Sequence, residues 1–223
     1  VLLVGNSHSK DLYNSFLFSK TFNENFELAR YNGEIKYLSS KKNLFYKSEN
    51  YLNSDIVIIV SHYYEDDLIH IEPLVNNIIE NGKTVVLVKE SFQFKMINSR
   101  TMVDIDIHNY IRNIKIDNKN NDSLFVDAVN KSSFYNRITD LDILKTQSDS
   151  IINQLSQNNK KIITLDRNDY ISSTNEKISF SLNDKFEKFY YDARHTTIKG
   201  AEFFGKRIDE TNWLNPIIIN YKK

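Results

Sequence analysis

Leu2-Leu3-Val4-Gly5-Asn6-Ser7-His8-Ser9, with Leu12, Phe16 and Leu17 behind it, is the stretch that decides the fold. A short apolar run ending at a glycine suits a buried parallel strand entering a tight turn. The apolar residues after the turn recur at helical spacing, so the chain opens as strand, turn, helix. The same alternation continues outward. Phe26 to Tyr31 reads as a second strand, stopped by Asn32-Gly33. Asp55-Ile-Val-Ile-Ile-Val60 is the clearest strand, an apolar run rich in β-branched residues. Leu68, Ile71, Val75 and Ile78 mark one helical face, closed by Asn81-Gly82. Thr84 to Val88 gives the next strand, Leu141, Leu144, Ile151 and Leu155 another helix, and Lys161 to Leu165 a further strand. Strands alternating with helices predict an α/β fold, a three-layer α/β/α sandwich with a central parallel sheet and right-handed crossovers.

Other segments read less sharply. Lys36 to Lys47 interleaves lysines with Tyr and Phe and is expected as a solvated loop. Residues 92–136 give no clear period, and Asp117 to Asp122 is polar enough for a surface loop. Thr197 is placed to cap a helix whose buried face would be Ile198, Ala201, Phe204 and Ile208. Trp213 and Ile217 to Ile219 are expected to pack against the domain or an adjoining segment. Without repeats or a low-complexity linker, residues 1–223 read as one domain.

Composition narrows the function. Lys+Arg and Asp+Glu are both 29, so no overall field points to nucleic acid as a partner. The absence of cysteine excludes disulfides, thiolate metal sites and cysteine nucleophiles. No apolar run approaches the roughly 20 residues of a spanning helix. The chain begins on a strand at Val1 without an initiator Met, and is expected to be an excerpt or processed form of a longer protein.

In a parallel sheet, ligands bind beyond the carboxyl ends of the strands, where Gly5-Asn6-Ser7-His8 falls. A serine there can present its hydroxyl to the crevice, and its N–H would sit at a helix N-terminus where an oxyanion is stabilised. Alone, such a serine is more often a helix cap. A serine hydroxyl needs a base to take its proton, and the base needs an acceptor that fixes its tautomer. Tyr190-Tyr191-Asp192-Ala193-Arg194-His195 supplies both, three residues apart on one turn before the last amphipathic helix.

The two blocks together resemble the SGNH/GDSL hydrolase superfamily, whose first block reads Gly-Asp-Ser and in one branch Gly-Asn-Ser-His. Its last block is Asp-x-x-His before a helix. The phrase from Tyr191 through Asp192, His195 and Gly200 to Ala201 is similar to the SGNH domains of bacterial polysaccharide O-acyltransferases. That resemblance implies an SGNH/flavodoxin-like sandwich in which Ser7 is the nucleophile, His195 the base and Asp192 its orienter. It also implies acyl transfer to a glycan acceptor from an acyl donor, a fused or partner membrane acyltransferase, and a place on the periplasmic or extracytoplasmic face of the membrane. A cytoplasmic place remains open. No cofactor is implied. The family commonly completes its oxyanion hole with a Gly after the second strand and an Asn after the third. Gly33 is placed for the first, but Ser61-His62-Tyr63 stands where the Asn would be. One missing donor costs about 2.7–4 kcal/mol of transition-state stabilisation. The cysteine pair common in that branch is absent too.

Asn6 and His62 are thus candidate oxyanion or substrate contacts beside Gly33. Transferase and esterase remain open, since one site serves both and only the acceptor differs. Two other classes compete. His8, His62 and His195 each fall near a strand end and could hold a zinc ion, although no short ligand spacing supports it. A degenerate, glycan-binding relative is the second. His70 and His108 have no constellation around them and are expected to be structural.

Overall fold

A computed structural model describes residues 1–117, 122–138 and 143–221. Five parallel strands form its central sheet: β1 (Leu2–Gly5), β2 (Ala29–Asn32), β3 (Ile56–Ile59), β4 (Thr84–Lys89) and β5 (Ile162–Asp166). Their spatial order is β2-β1-β3-β4-β5. The order reverses at β1, so the crevice between the carboxyl ends of β1 and β3 is the natural ligand site.

Alternate residues of β1, β3, β4 and β5 serve two cores, which is why these strands read as apolar runs, while the edge strand β2 is only partly buried. Leu3, Ile56, Ile58, Val86 and Ile163 face one side, with Phe16, Phe22, Phe204 and Trp213. These come from α1 (Ser7–Leu17), α6 (Ile198–Glu210) and the segments beside them. Leu2, Val4, Val57, Ile59, Val85 and Leu87 face the other, under α2 (Leu68–Glu80) and α5 (Ile143–Asn158). Each buried side chain of β3 contributes roughly 1.5–3 kcal/mol relative to exposure. The result is the expected three-layer α/β/α sandwich.

Several expectations need correction. The segment from Lys36 to Lys47 is not a plain loop: it holds a helical turn at Ile35–Leu38 and a 3-10 turn at Leu44–Lys47. Leu38 and Phe45 are buried and Tyr46 packs against the same core, while Tyr37, Lys41, Lys42 and Lys47 stay outside. The second strand begins later than expected, at Ala29. The unreadable middle contains α3 (Met102–Asp117) and α4 (Asp122–Tyr135), which lie between β4 and β5. Tyr110 stacks on Phe125 at 3.5 Å to join them. The polar stretch expected as a loop at 117–122 falls, for residues 118–121, outside the described residues, and so does Leu141. The tail packs in part: Trp213 and Ile217 are buried, Ile219 is exposed.

Candidate active site

The turn after β1 is built to hold Ser7 at the sheet edge. Gly5 has φ +142, and a Cβ there would lie 1.8 Å from the Val60 carbonyl oxygen. Only glycine therefore lets β1 close against the end of β3. Asn6 caps α1 and ties two strand ends together. Its Nδ2 donates to the His62 carbonyl at 2.9 Å, and its Oδ1 accepts from the N–H groups of His62 and His8, each at 3.2 Å. Ser9 and Arg30 brace the same turn, Arg30 Nη2 donating to the Asn6 carbonyl at 3.1 Å and Nε to Ser9 Oγ at 2.8 Å. Asn6 is thus a scaffold, with both ends of its amide engaged by the backbone.

The segment bearing the other two groups is closed by an antiparallel bridge between Tyr190 and Thr196. Thr197 then caps α6, its Oγ1 accepting from Gly200 N–H at 2.9 Å. A Cβ on Gly200 would lie 2.2 Å from the Phe189 carbonyl oxygen, so glycine is what seats the helix against this turn.

The two extremities of the sequence meet here. Ser7 Oγ lies 2.8 Å from His195 Nε2, and His195 Nδ1 lies 2.7 Å from Asp192 Oδ2. Asp192 Oδ1 accepts from the N–H groups of Arg194 and His195 at 2.8 Å each. With the carboxylate at Nδ1, the ring holds its proton there and offers Nε2 to the serine. Partial burial pushes the Asp192 carboxyl up, but its bonds from the His195 ring and those two N–H groups outweigh this and hold it below the usual aspartate range. Ser7 is exposed. As the first residue of α1 it keeps an N–H with no partner inside the helix.

A cleft of about 260 Å³ opens beside it, lined by Lys10, Asp11, Asn14, Tyr191 and Ile198 among others. Ile198 was expected on the buried face of α6, yet it is 63% exposed because it forms the rim of this cleft. Tyr191 lies parallel to the His195 ring at 5.7 Å.

Gly33 does not serve as expected. Its N–H donates to the Gly5 carbonyl at 3.1 Å, extending the β1–β2 ladder, so it is not free for an oxyanion. The zinc alternative also fails on geometry. The His8 ring centroid lies 5.8 Å from that of His62 and 5.4 Å from that of His195, and the Nδ1 atoms of His8, His62 and His195 face Arg167, Glu90 and Asp192 respectively. Among the described residues no group of three or more His, Asp or Glu converges to hold a metal. His70 Nδ1 meets Ser39 Oγ at 3.0 Å, a structural contact.

Sequence reasoning missed the floor beneath the site. His8 is buried, and Arg167 Nη1 donates to its Nδ1 at 3.1 Å. Burial, and then the Arg167 charge, hold the His8 pKa well below the ordinary histidine value. Asp11, one helical turn after Ser7, is pushed up by burial against the pull of Arg167 and His195. Its spacing from Ser7 was the one available signal.

No family model and no curated protein matches the chain. Among solved structures, it is similar to the acetyl xylan esterase AlAXEase at TM-score 0.51 and 12% identity, over 94% of this chain and 98% of that one. A Bacteroides fragilis protein named as a putative acylhydrolase aligns at TM-score 0.47 and 16% identity, over 95% and 85%. At 12% identity, the first likeness is one of fold.

Proposed function

We propose that this protein cleaves small O-acyl esters, with carbohydrate O-acetyl groups as the substrate class, through an acyl-Ser7 intermediate. The observation that carries the reading is the unbroken line Ser7–His195–Asp192, at 2.8 and 2.7 Å. Ser7 Oγ attacks the ester carbonyl while His195 Nε2 takes its proton, and Asp192 stabilises the imidazolium. The oxyanion meets the Ser7 N–H at the start of α1. Collapse breaks the bond to the alcohol, which leaves with the proton from His195. Water then attacks acyl-Ser7, His195 takes its proton, and the serine is restored as the acid leaves. The cleft lies just under the size usual for drug-like ligands, which favours a short acyl group. The likeness in fold to an acetyl xylan esterase agrees with this substrate class.

A second reading rests on the phrase from Tyr191 to Ala201. Here a sugar hydroxyl of a cell-surface polysaccharide replaces water, and a membrane acyltransferase supplies the acyl donor. The chemical steps are unchanged. Ser7→Ala is expected to abolish acetate release from p-nitrophenyl acetate and acetylated oligosaccharide while far-UV circular dichroism and Tm are retained. A Ser7→Ala protein as active as the wild type would end the proposal. Adding an unacetylated oligosaccharide to the wild-type reaction separates the two readings: free acetate as sole product supports hydrolysis, acetylated oligosaccharide supports transfer.

A further inference from the structure

Arg30 lies on β2 opposite Leu3 of β1, and its guanidinium is directed at the turn that carries the nucleophile. Nη2 donates to the Asn6 carbonyl oxygen at 3.1 Å and to Asn32 Oδ1 at 2.9 Å. Nε donates to Ser9 Oγ at 2.8 Å, and Ser9 Oγ in turn donates to the same Asn6 carbonyl at 2.8 Å. The Ser9 N–H adds a further bond there at 3.1 Å. One oxygen thus receives the guanidinium directly, the guanidinium again through a buried hydroxyl, and a backbone donor. The groups that accept from Arg30 are all neutral, so none of them cancels its charge.

We infer that Arg30 is a positioning residue for the reaction: its positive charge, applied to the Asn6 carbonyl, strengthens and aims the Ser7 N–H as oxyanion donor. The inference rests on the reading of Ser7 as the acylated residue. The Asn6 carbonyl and the Ser7 N–H are the two ends of one planar trans peptide group, joined by resonance. A cation at the oxygen draws electrons through that group and leaves the hydrogen at the far end more positive. Hydrogen bonds linked in this way polarise one another, and a charged donor does so more than a neutral one. The same bonds hold the plane of the peptide, so the N–H is aimed before substrate arrives, which makes such a donor effective. The surroundings give the device its weight. The Asn6 amide is consumed by the backbone and the Gly33 N–H by Gly5, so more of the oxyanion's charge falls to the Ser7 N–H.

The test is steady-state hydrolysis of p-nitrophenyl acetate by the full chain and its Arg30→Met, Arg30→Lys, Arg30→Gln and Ser7→Ala variants, with Tm measured for each. Arg30→Lys keeps the charge, and Arg30→Gln keeps a neutral N–H donor. Arg30→Met is expected to lower kcat about tenfold, less than the loss of a whole oxyanion donor, with KM within about threefold. Arg30→Lys is expected to exceed Arg30→Gln in kcat by about threefold or more, a ranking that a merely structural brace would not give. A kcat for Arg30→Met within about threefold of wild type overturns the inference. So does an Arg30→Gln protein as fast as Arg30→Lys, or a loss confined to KM. Should Arg30→Met fail to fold, the comparison of Arg30→Lys with Arg30→Gln decides alone. A fully active Ser7→Ala protein instead removes the underlying reading, so the two failures are distinguishable.

Discussion

Two histidines within 5.4 Å of each other occupy opposite worlds in this molecule. His195, on the surface turn before α6, has a carboxylate at Nδ1 and the serine hydroxyl at Nε2. His8, in the floor below, has a guanidinium at Nδ1 and no partner at Nε2. An anion at Nδ1 prepares the imidazole to take up a proton at the other nitrogen. A buried cation at the same atom opposes that uptake. Residue type and position at the sheet edge are shared, so the partner at Nδ1 and the burial decide which ring can be a base.

The comparison breaks most visibly at the carboxylate. Asp192→Asn, which removes the acceptor charge while keeping the shape, is expected to lower kcat for p-nitrophenyl acetate by on the order of 10⁴-fold with its Tm near that of the wild type. A loss under tenfold would mean that His195 does not depend on its partner.

Next is the floor. Arg167→Met is expected to destabilise the fold, because it strands the His8 Nδ1 acceptor and the Tyr170 hydroxyl, to which Arg167 Nε donates at 3.4 Å. Each stranded buried group costs about 1–3 kcal/mol, readable by urea denaturation. A variant as stable as the wild type would show that the guanidinium does not hold the floor.

The pH dependence of stability sharpens the contrast. His8 stays neutral when folded and titrates normally when unfolded, so the unfolded state binds the extra proton at acid pH. Its contribution is therefore intact above about pH 6.5 and is lost as pH falls below that value, with a slope of up to about 1.4 kcal/mol per pH unit. His8→Gln is expected to flatten this part of the curve, and an unchanged slope would count against a neutral His8. Asp192 acts lower and more weakly. Its carboxyl is held below the unfolded value, so its contribution is present above about pH 3.8 and lost as pH falls through the folded pKa. Its exposure keeps the effect small. Denaturation midpoints of Asp192→Asn and wild type are expected to converge toward pH 3; a gap that stays constant from pH 6 to pH 3 would contradict this.

Much of this was legible in the sequence. Strands such as Ile56–Ile59 announce themselves because both faces are covered, and the Ser7 and Asp192–His195 blocks because their chemistry needs those residue types beside strand and helix ends. What stayed hidden is what tertiary contacts decide. Gly33 looked available until the β1–β2 ladder was seen to consume its N–H. Arg167 and Glu90 look like surface charges until partners 159 and 28 residues away bury them. The helices between β4 and β5 are joined by the stack of Tyr110 on Phe125, a pairing without sequence period. Ile198 looked like core because helical spacing gives a face but not what opens beside it.

The central claim is that His195 makes Ser7 a nucleophile, and intact-mass and peptide mass spectrometry after treatment with a fluorophosphonate tests it most directly. The account predicts one adduct per chain, on Ser7, whose formation is lost in His195→Ala. No adduct on Ser7, or labelling as fast in His195→Ala as in the wild type, would contradict it.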